Sequence, residues 1–146
     1  FAVFNCREGH YPQDISAYDC YITTGSKASV YDDEAWIKRL IEFIRELDEA
    51  RSKLVGICFG HQLIALARGG KVEKSDKGWG VGIASNEMLL QADWMDEAPQ
   101  PLRILVSHQD QVTQLPDGAT VLARTDFCPY FLVQWGAHFL SVQGHP

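Results

Sequence analysis

The chain has 146 residues, 46% hydrophobic and 22% charged, with a formal net charge of −6 at pH 7. That is one domain's length with enough apolar material for a sizeable core. The acidic balance, with no basic run interleaved with aromatics, argues against a nucleic-acid or anionic-membrane partner, and no apolar stretch approaches the roughly 18 residues of a membrane span.

The four cysteines, Cys6, Cys20, Cys58 and Cys128, fall in no CxxC or CxxxxC spacing. Neither a structural zinc site nor a disulfide framework is expected, and a reducing, cytoplasmic compartment fits best. The chain begins at Phe1 without a methionine and stops at Pro146 just after an apolar run. It reads as a single domain over residues 1–146, cut at both ends.

Asp19–Thr24 reads as a short strand ending in a polar turn, Thr23-Thr24-Gly25-Ser26. Asp32 and Asp33 stand where helix caps belong. Trp36, Ile37, Leu40, Ile41, Ile44 and Leu47 then recur at helical spacing to about Ala50. Lys53–Ile57 is an apolar strand. Phe59–Arg68 is a second helix, stopped by Gly69-Gly70. Short strands follow at Lys71–Lys74, Val81–Ala84, Leu102–Val106, Ala119–Ala123, Phe131–Trp135 and Phe139–Val142. Met88–Ala98 reads equally as a short helix or a loop. Strand-helix-strand-helix at the front predicts a parallel sheet flanked by helices, and the hairpin-like strands behind predict an antiparallel extension.

The most informative segment is Leu54–Gln62, where a strand runs into Gly56-Ile-Cys58-Phe-Gly60 and a helix follows. This is the pattern of a nucleophile elbow with Cys in place of Ser. Side chains two residues either side of the nucleophile would collide in so sharp a turn, which accounts for both glycines. The turn sets Cys58 at a helix N-terminus, where the dipole favours a thiolate. It also aims the Phe59 N–H at the place where an oxyanion forms.

A thiol nucleophile needs a base. His61 shares the helix of Cys58 and points along it, which suits packing and supporting hydrogen bonds. His138 reads as solvent-facing and His10 as part of an early loop. Spacing alone leaves His108 and His145 nearly tied. His145 follows a strand end, where α/β enzymes place catalytic groups.

These residues together resemble a known family. Gly56-Ile-Cys-Phe-Gly-His-Gln62 resembles the signature of class I, triad-type glutamine amidotransferases, and Gln143-Gly-His-Pro146 resembles their second signature, which normally continues with Glu. Ser107-His-Gln-Asp-Gln-Val112, Lys77-Gly-Trp-Gly80 and Ser29-Val-Tyr-Asp32 are similar to segments of the stand-alone GMP-synthase-like branch. Thr24-Gly25-Ser26 resembles its oxyanion loop, with Ser26 and Lys27 where many members have Gly and Pro. The resemblance implies a flavodoxin-like, mostly parallel open sheet. The first strand and helix, the C-terminal helix and the triad Glu are expected to lie outside this chain.

It further implies that Cys58 attacks the γ-carboxamide of glutamine and that His145 is the base. N–H groups at Phe59 and at Gly25 or Ser26 would hold the oxyanion. Gln62 and the backbone from Ser107 through His108 and Gln109 to Asp110 would position the amino-acid end. The implied function is glutamine hydrolysis through a thioester, with no metal or organic cofactor needed and with the ammonia passed to an acceptor by way of a synthetase or aminase partner. The alternatives are a γ-glutamyl peptide or conjugate hydrolase, with Lys77, Trp79 and Tyr31 lining its pocket, or an idle regulatory domain. Gly78-Trp-Gly-Val-Gly82 lacks dinucleotide-binding spacing. Asp93, Asp96 and Glu97 read as a solvated face. Asp110 reads as orienting His108, meeting the substrate ammonium or capping a turn.

Overall fold

The computed structural model describes residues 1–97 and 99–146. Two short 3₁₀ turns, Cys6–Glu8 and Ile15–Ala17, lead into β1 (Cys20–Thr23), α1 (Ala35–Glu49), β2 (Lys53–Ile57) and α2 (Phe59–Ala67). Strands β3 (Lys71–Lys74), β4 (Gly80–Met88), β5 (Leu102–His108), β6 (Asp110–Gln114), β7 (Ala119–Arg124), β8 (Leu132–Trp135) and β9 (Phe139–Val142) follow.

The main sheet has the order β1-β2-β9-β8-β7-β4-β5. Strands β1, β2 and β9 are parallel neighbours, and the antiparallel extension runs from β8 to β5. A separate pair, β3 with β6, flanks it. The α/β sheet with an antiparallel extension is thus present. Within it, β4 is longer than its apolar pattern suggests because β5 pairs along it from Gly80 to Asn86 and β7 takes over at Glu87.

Side-chain alternation splits the sheet into two faces. Leu54, Val133, Trp135 and Phe139 face the helices and meet Ile37, Leu40, Ile44 and Leu47 of α1 and Leu63 and Ile64 of α2. The opposite face gathers Leu122, Ala123, Phe131, Leu132 and Val142. The stripe on α1 is as expected, with Phe43 added.

Several expectations need correction. The α1 cap residue is Glu34, whose side chain makes no capping bond; Asp32 instead accepts the Ser29 N–H at 2.8 Å and closes the preceding turn, and Asp33 pairs with Lys38. His138 is not solvent-facing: its side chain is nearly buried, with Nε2 2.7 Å from Asp48 Oδ1. The region after Met88 is a loop with a turn at Asp93-Trp94, and Ala98 lies outside the described residues. Strand β6 has no counterpart in the sequence reading. Its polar run Asp-Gln-Val-Thr-Gln hides the buried Gln111 and Val112.

Between the sheet and α2 lies a buried polar cluster. Ser141 Oγ accepts the Trp135 indole N–H at 2.7 Å and stands 2.7 Å from His61 Nδ1. The Ser141 hydroxyl proton is available to His61 Nδ1, a pairing that puts the imidazole proton on Nε2. Burial first, then the neighbouring His108, lowers the His61 pKa to about 3, so it is neutral in the fold. A histidine held neutral contributes stability that is full above its unfolded pKa and lost as pH falls toward the folded one. Stability in urea is therefore expected to decline with acid below about pH 6.5, by up to roughly 1.4 kcal/mol per pH unit for this proton. His61→Asn should remove that part of the slope; an identical slope in the variant would mean that His61 takes no part.

Candidate active site

Because β1, β2 and β9 lie side by side and parallel, their carboxyl ends open at one edge. This brings together Gly25 after β1, Cys58 after β2 and His145 after β9, the position where open α/β sheets build their sites. Cys58 has φ 52° and ψ −98°, an unusual backbone for a residue with a side chain. The crowding around it is direct. A Cβ on Gly56 would lie 2.8 Å from the Gly60 carbonyl and 2.6 Å from Ile64 Cδ1, and one on Gly60 would fall inside the Thr23 side chain, 2.8 Å from its Cβ. The elbow therefore jams against both its own helix and β1. Trp36 of α1 stacks on Phe59 at 5.6 Å and secures the turn from the other side.

The Cys58 thiol is mostly buried. Burial pushes its pKa up, the Phe59 N–H and the Gln143 side chain pull it down, and the Asp110 charge pushes it up again, with a net rise. The thiolate-favouring helix terminus is present through Phe59, but desolvation outweighs it. The resting group is a thiol that needs a base, not a standing thiolate.

The two histidines left tied by spacing are separated by geometry. His108 is buried, with its ring edge-on to Phe127 at 5.9 Å and Nδ1 3.3 Å from the Asp110 carbonyl. Burial, with a smaller push from His145, lowers its pKa. His145 stands against the loop after β1: a Cβ on Gly25 would be 3.0 Å from His145 Cε1 and 3.8 Å from Cys58 Cβ. Thiol and imidazole flank the same glycine, although among the described residues they share no hydrogen bond. Gly144 seats this histidine, since a Cβ there would meet Ile104, Phe131 and the Leu105 carbonyl at 2.6–3.0 Å. The His145 N–H then bonds the Leu105 carbonyl at 2.8 Å.

One cavity of about 720 Å³ joins these groups. Gly25, Ser26, Phe59, Gln62 and the Ser107–Asp110 segment all line it with Cys58 and His145. The Gly25 and Ser26 N–H groups have no acceptor among the described residues. Asp110 is held by the loop beyond them, its carboxylate accepting Ser29 Oγ–H at 2.5 Å and Tyr31 O–H at 2.8 Å. It neither bonds His108 through its side chain nor caps a turn. Tyr31 and Trp79 line the cavity as expected; Lys77 does not, because its ammonium is taken by the Asp126 carbonyl, and Lys74 and Lys27 stand there instead.

With the geometry in hand, comparison with known proteins is decisive for the family: residues 13–146 match the family described as glutamine amidotransferase class-I. The chain belongs to that family. It is 37% identical over 152 residues to gamma-glutamyl peptidase 3 of Arabidopsis thaliana, covering 99% of this chain and 61% of that protein. It is 40% identical over 104 residues to a subunit of the glutamine-hydrolyzing GMP synthase of Thermococcus kodakarensis, covering 70% of this chain and 55% of that one. In fold it resembles a glutamine amidotransferase from Thermotoga maritima, with a TM-score of 0.90, 21% identity, and coverage of 97% of this chain and 62% of that one. The chain thus spans about three-fifths of the length of the relatives it matches.

Sequence reasoning passed over three contributors. Gln143 was visible only as the first letter of the Gly-His-Pro segment, Ser29 only as part of a loop, and Lys74 as a strand end. The elbow makes the sharpest test of the local physics. Gly60→Ala is expected to cost about 1–3 kcal/mol in urea unfolding through overpacking against Thr23. Unchanged stability would mean that the close approach of α2 to β1 does not exist.

Proposed function

We propose that the protein hydrolyses the amide of a γ-glutamyl group through a thioester on Cys58. The observation that carries this reading is the single cavity that brings the thiol and the imidazole together with Gly25, Ser26 and Phe59. His145 takes the Sγ proton as sulfur attacks the γ-carbonyl carbon. The N–H groups of Phe59 and of Gly25 or Ser26 receive the oxyanion. The C–N bond breaks, and the same proton leaves with the amine. Water, deprotonated by His145, then opens the thioester and releases glutamate and the free thiol. Gln62 and the Ser107–Asp110 backbone position the amino-acid end. The reading calls for a carboxylate beside His145 to orient the imidazole, the role of a Glu following Pro146.

The leaving group decides the substrate. The cavity extends past the thiol to Lys74 and to Trp79, which is 65% exposed. Its volume lies in the range of roughly 300–1,000 Å³ that takes ligands larger than one amino acid. This favours a γ-glutamyl peptide, as do the names of the relatives covering nearly the whole chain. The likeness to part of a GMP synthase favours a second reading, in which glutamine is the substrate and the ammonia goes to a synthetase partner. The pairing of thiol and imidazole in one cavity speaks against an idle regulatory domain. Among the described residues no helix is long and apolar enough to cross a membrane.

The full-length protein is expected to release glutamate from a γ-glutamyl dipeptide faster than from glutamine. Cys58→Ala should lose about three orders of magnitude or more in that rate. Faster release from glutamine would transfer the assignment to ammonia supply, and undiminished turnover in the alanine variant would refute the thiol mechanism.

A further inference from the structure

Gln143 is fully buried, yet it places a polar amide against the nucleophile. Its Nε2 donates to Cys58 Sγ at 3.6 Å, and its Oε1 accepts from Gln62 Nε2 at 3.1 Å. Gln62 Nε2 also donates to the Asp110 carbonyl at 2.9 Å. The order of these bonds dictates which way each amide faces. A backbone carbonyl can only accept, so Gln62 must turn its NH₂ toward Asp110. The second hydrogen of that NH₂ goes to Gln143 Oε1, which leaves Gln143 Nε2 for the sulfur. Reversing Gln143 would set two NH₂ groups against each other. The backbone holds the pair in place: the Gln143 N–H bonds the Phe131 carbonyl and the Cys58 N–H bonds the Val142 carbonyl, both at 2.8 Å.

We propose that Gln143 is a catalytic residue of this site, donating its Nε2–H to the Cys58 sulfur and stabilising the thiolate as the proton passes to His145, with Gln62 aiming it. The proposal rests on Cys58 being the nucleophile. A hydrogen bond to a charged acceptor is stronger than one to a neutral one, so this donor favours the thiolate over the thiol. Few groups oppose burial at the sulfur. Phe59 of α2 supplies one N–H, and Asp110 of β6 works against ionisation. The imidazoles of His108 and His145 and the ammonium groups of Lys27 and Lys74 face the same cavity from its other walls. Gln62 gives the donor a second property: one NH₂ joins the substrate-facing strand β6 to the thiol's partner.

The test is the pH dependence of Cys58 alkylation by iodoacetamide in the full-length protein, followed at that residue by peptide mass spectrometry. Gln143→Met removes the donor at similar length. Gln143→Glu keeps an acceptor for Gln62 but turns a carboxylate to the sulfur. The midpoint is expected to rise by about one pKa unit or more in Gln143→Met and further in Gln143→Glu. A merely structural role would lower the melting temperature and leave the midpoint where it was, and an unmoved midpoint in a folded variant overturns the proposal. The unsubstituted protein gives an independent reading by NMR. The Gln143 side-chain amide proton should move downfield with the midpoint of Cys58 ionisation, and a flat signal overturns the proposal without any variant. Wild-type Cys58 that resists alkylation at every pH would sink the nucleophile reading as well, whereas a reactive Cys58 with an unmoved midpoint in the variants sinks only the role of Gln143.

Discussion

The structure depends on a place where three backbone segments come closer than side chains allow. Gly56 at the end of β2, Gly60 in the first turn of α2 and Thr23 at the end of β1 are packed with no room for a further Cβ. Two glycines make the contact possible, and the residue between them absorbs the strain in a left-handed backbone. That residue is Cys58. The same contact that docks α2 onto the sheet thus lifts a thiol to the sheet's edge.

From this contact the rest of the site follows by strand order. With β9 beside β2, the segment leaving β9 passes the thiol, and Gly144 lets it drop close enough to β5 for His145 to face the loop after β1. Burial raises the cost of ionising the sulfur, and the surrounding donors offset part of it. A neutral thiol with a nearby imidazole suits a site that makes its thiolate on demand.

Much of this was legible in the chain. The elbow announced itself because its constraint is local: two glycines, a strand before and a helix after. The helix stripe of α1 was likewise readable from its 3.6-residue repeat. Other features resisted for physical reasons. Strand β6 carries its two buried positions as Gln111 and Val112, so no apolar alternation marks it. His138 looks like a loop residue until Asp48, ninety positions away, is seen to hold it. What separates His108 from His145 is that one ring packs against Phe127 and the other flanks Gly25. Spacing along the chain carries no such information. The expectation of a depressed thiol pKa considered the helix end without the desolvation around it.

The central claim is that a covalent glutamyl intermediate forms on Cys58. It is tested most directly by mixing the full-length protein with a γ-glutamyl dipeptide, quenching in acid within the first turnover, and mapping the adduct by peptide mass spectrometry. A glutamyl thioester confined to the Cys58 peptide, decaying as glutamate accumulates, is the expected result. Glutamate formed at the normal rate with Cys58 unmodified at every quench time, and with the adduct elsewhere or absent, would contradict it.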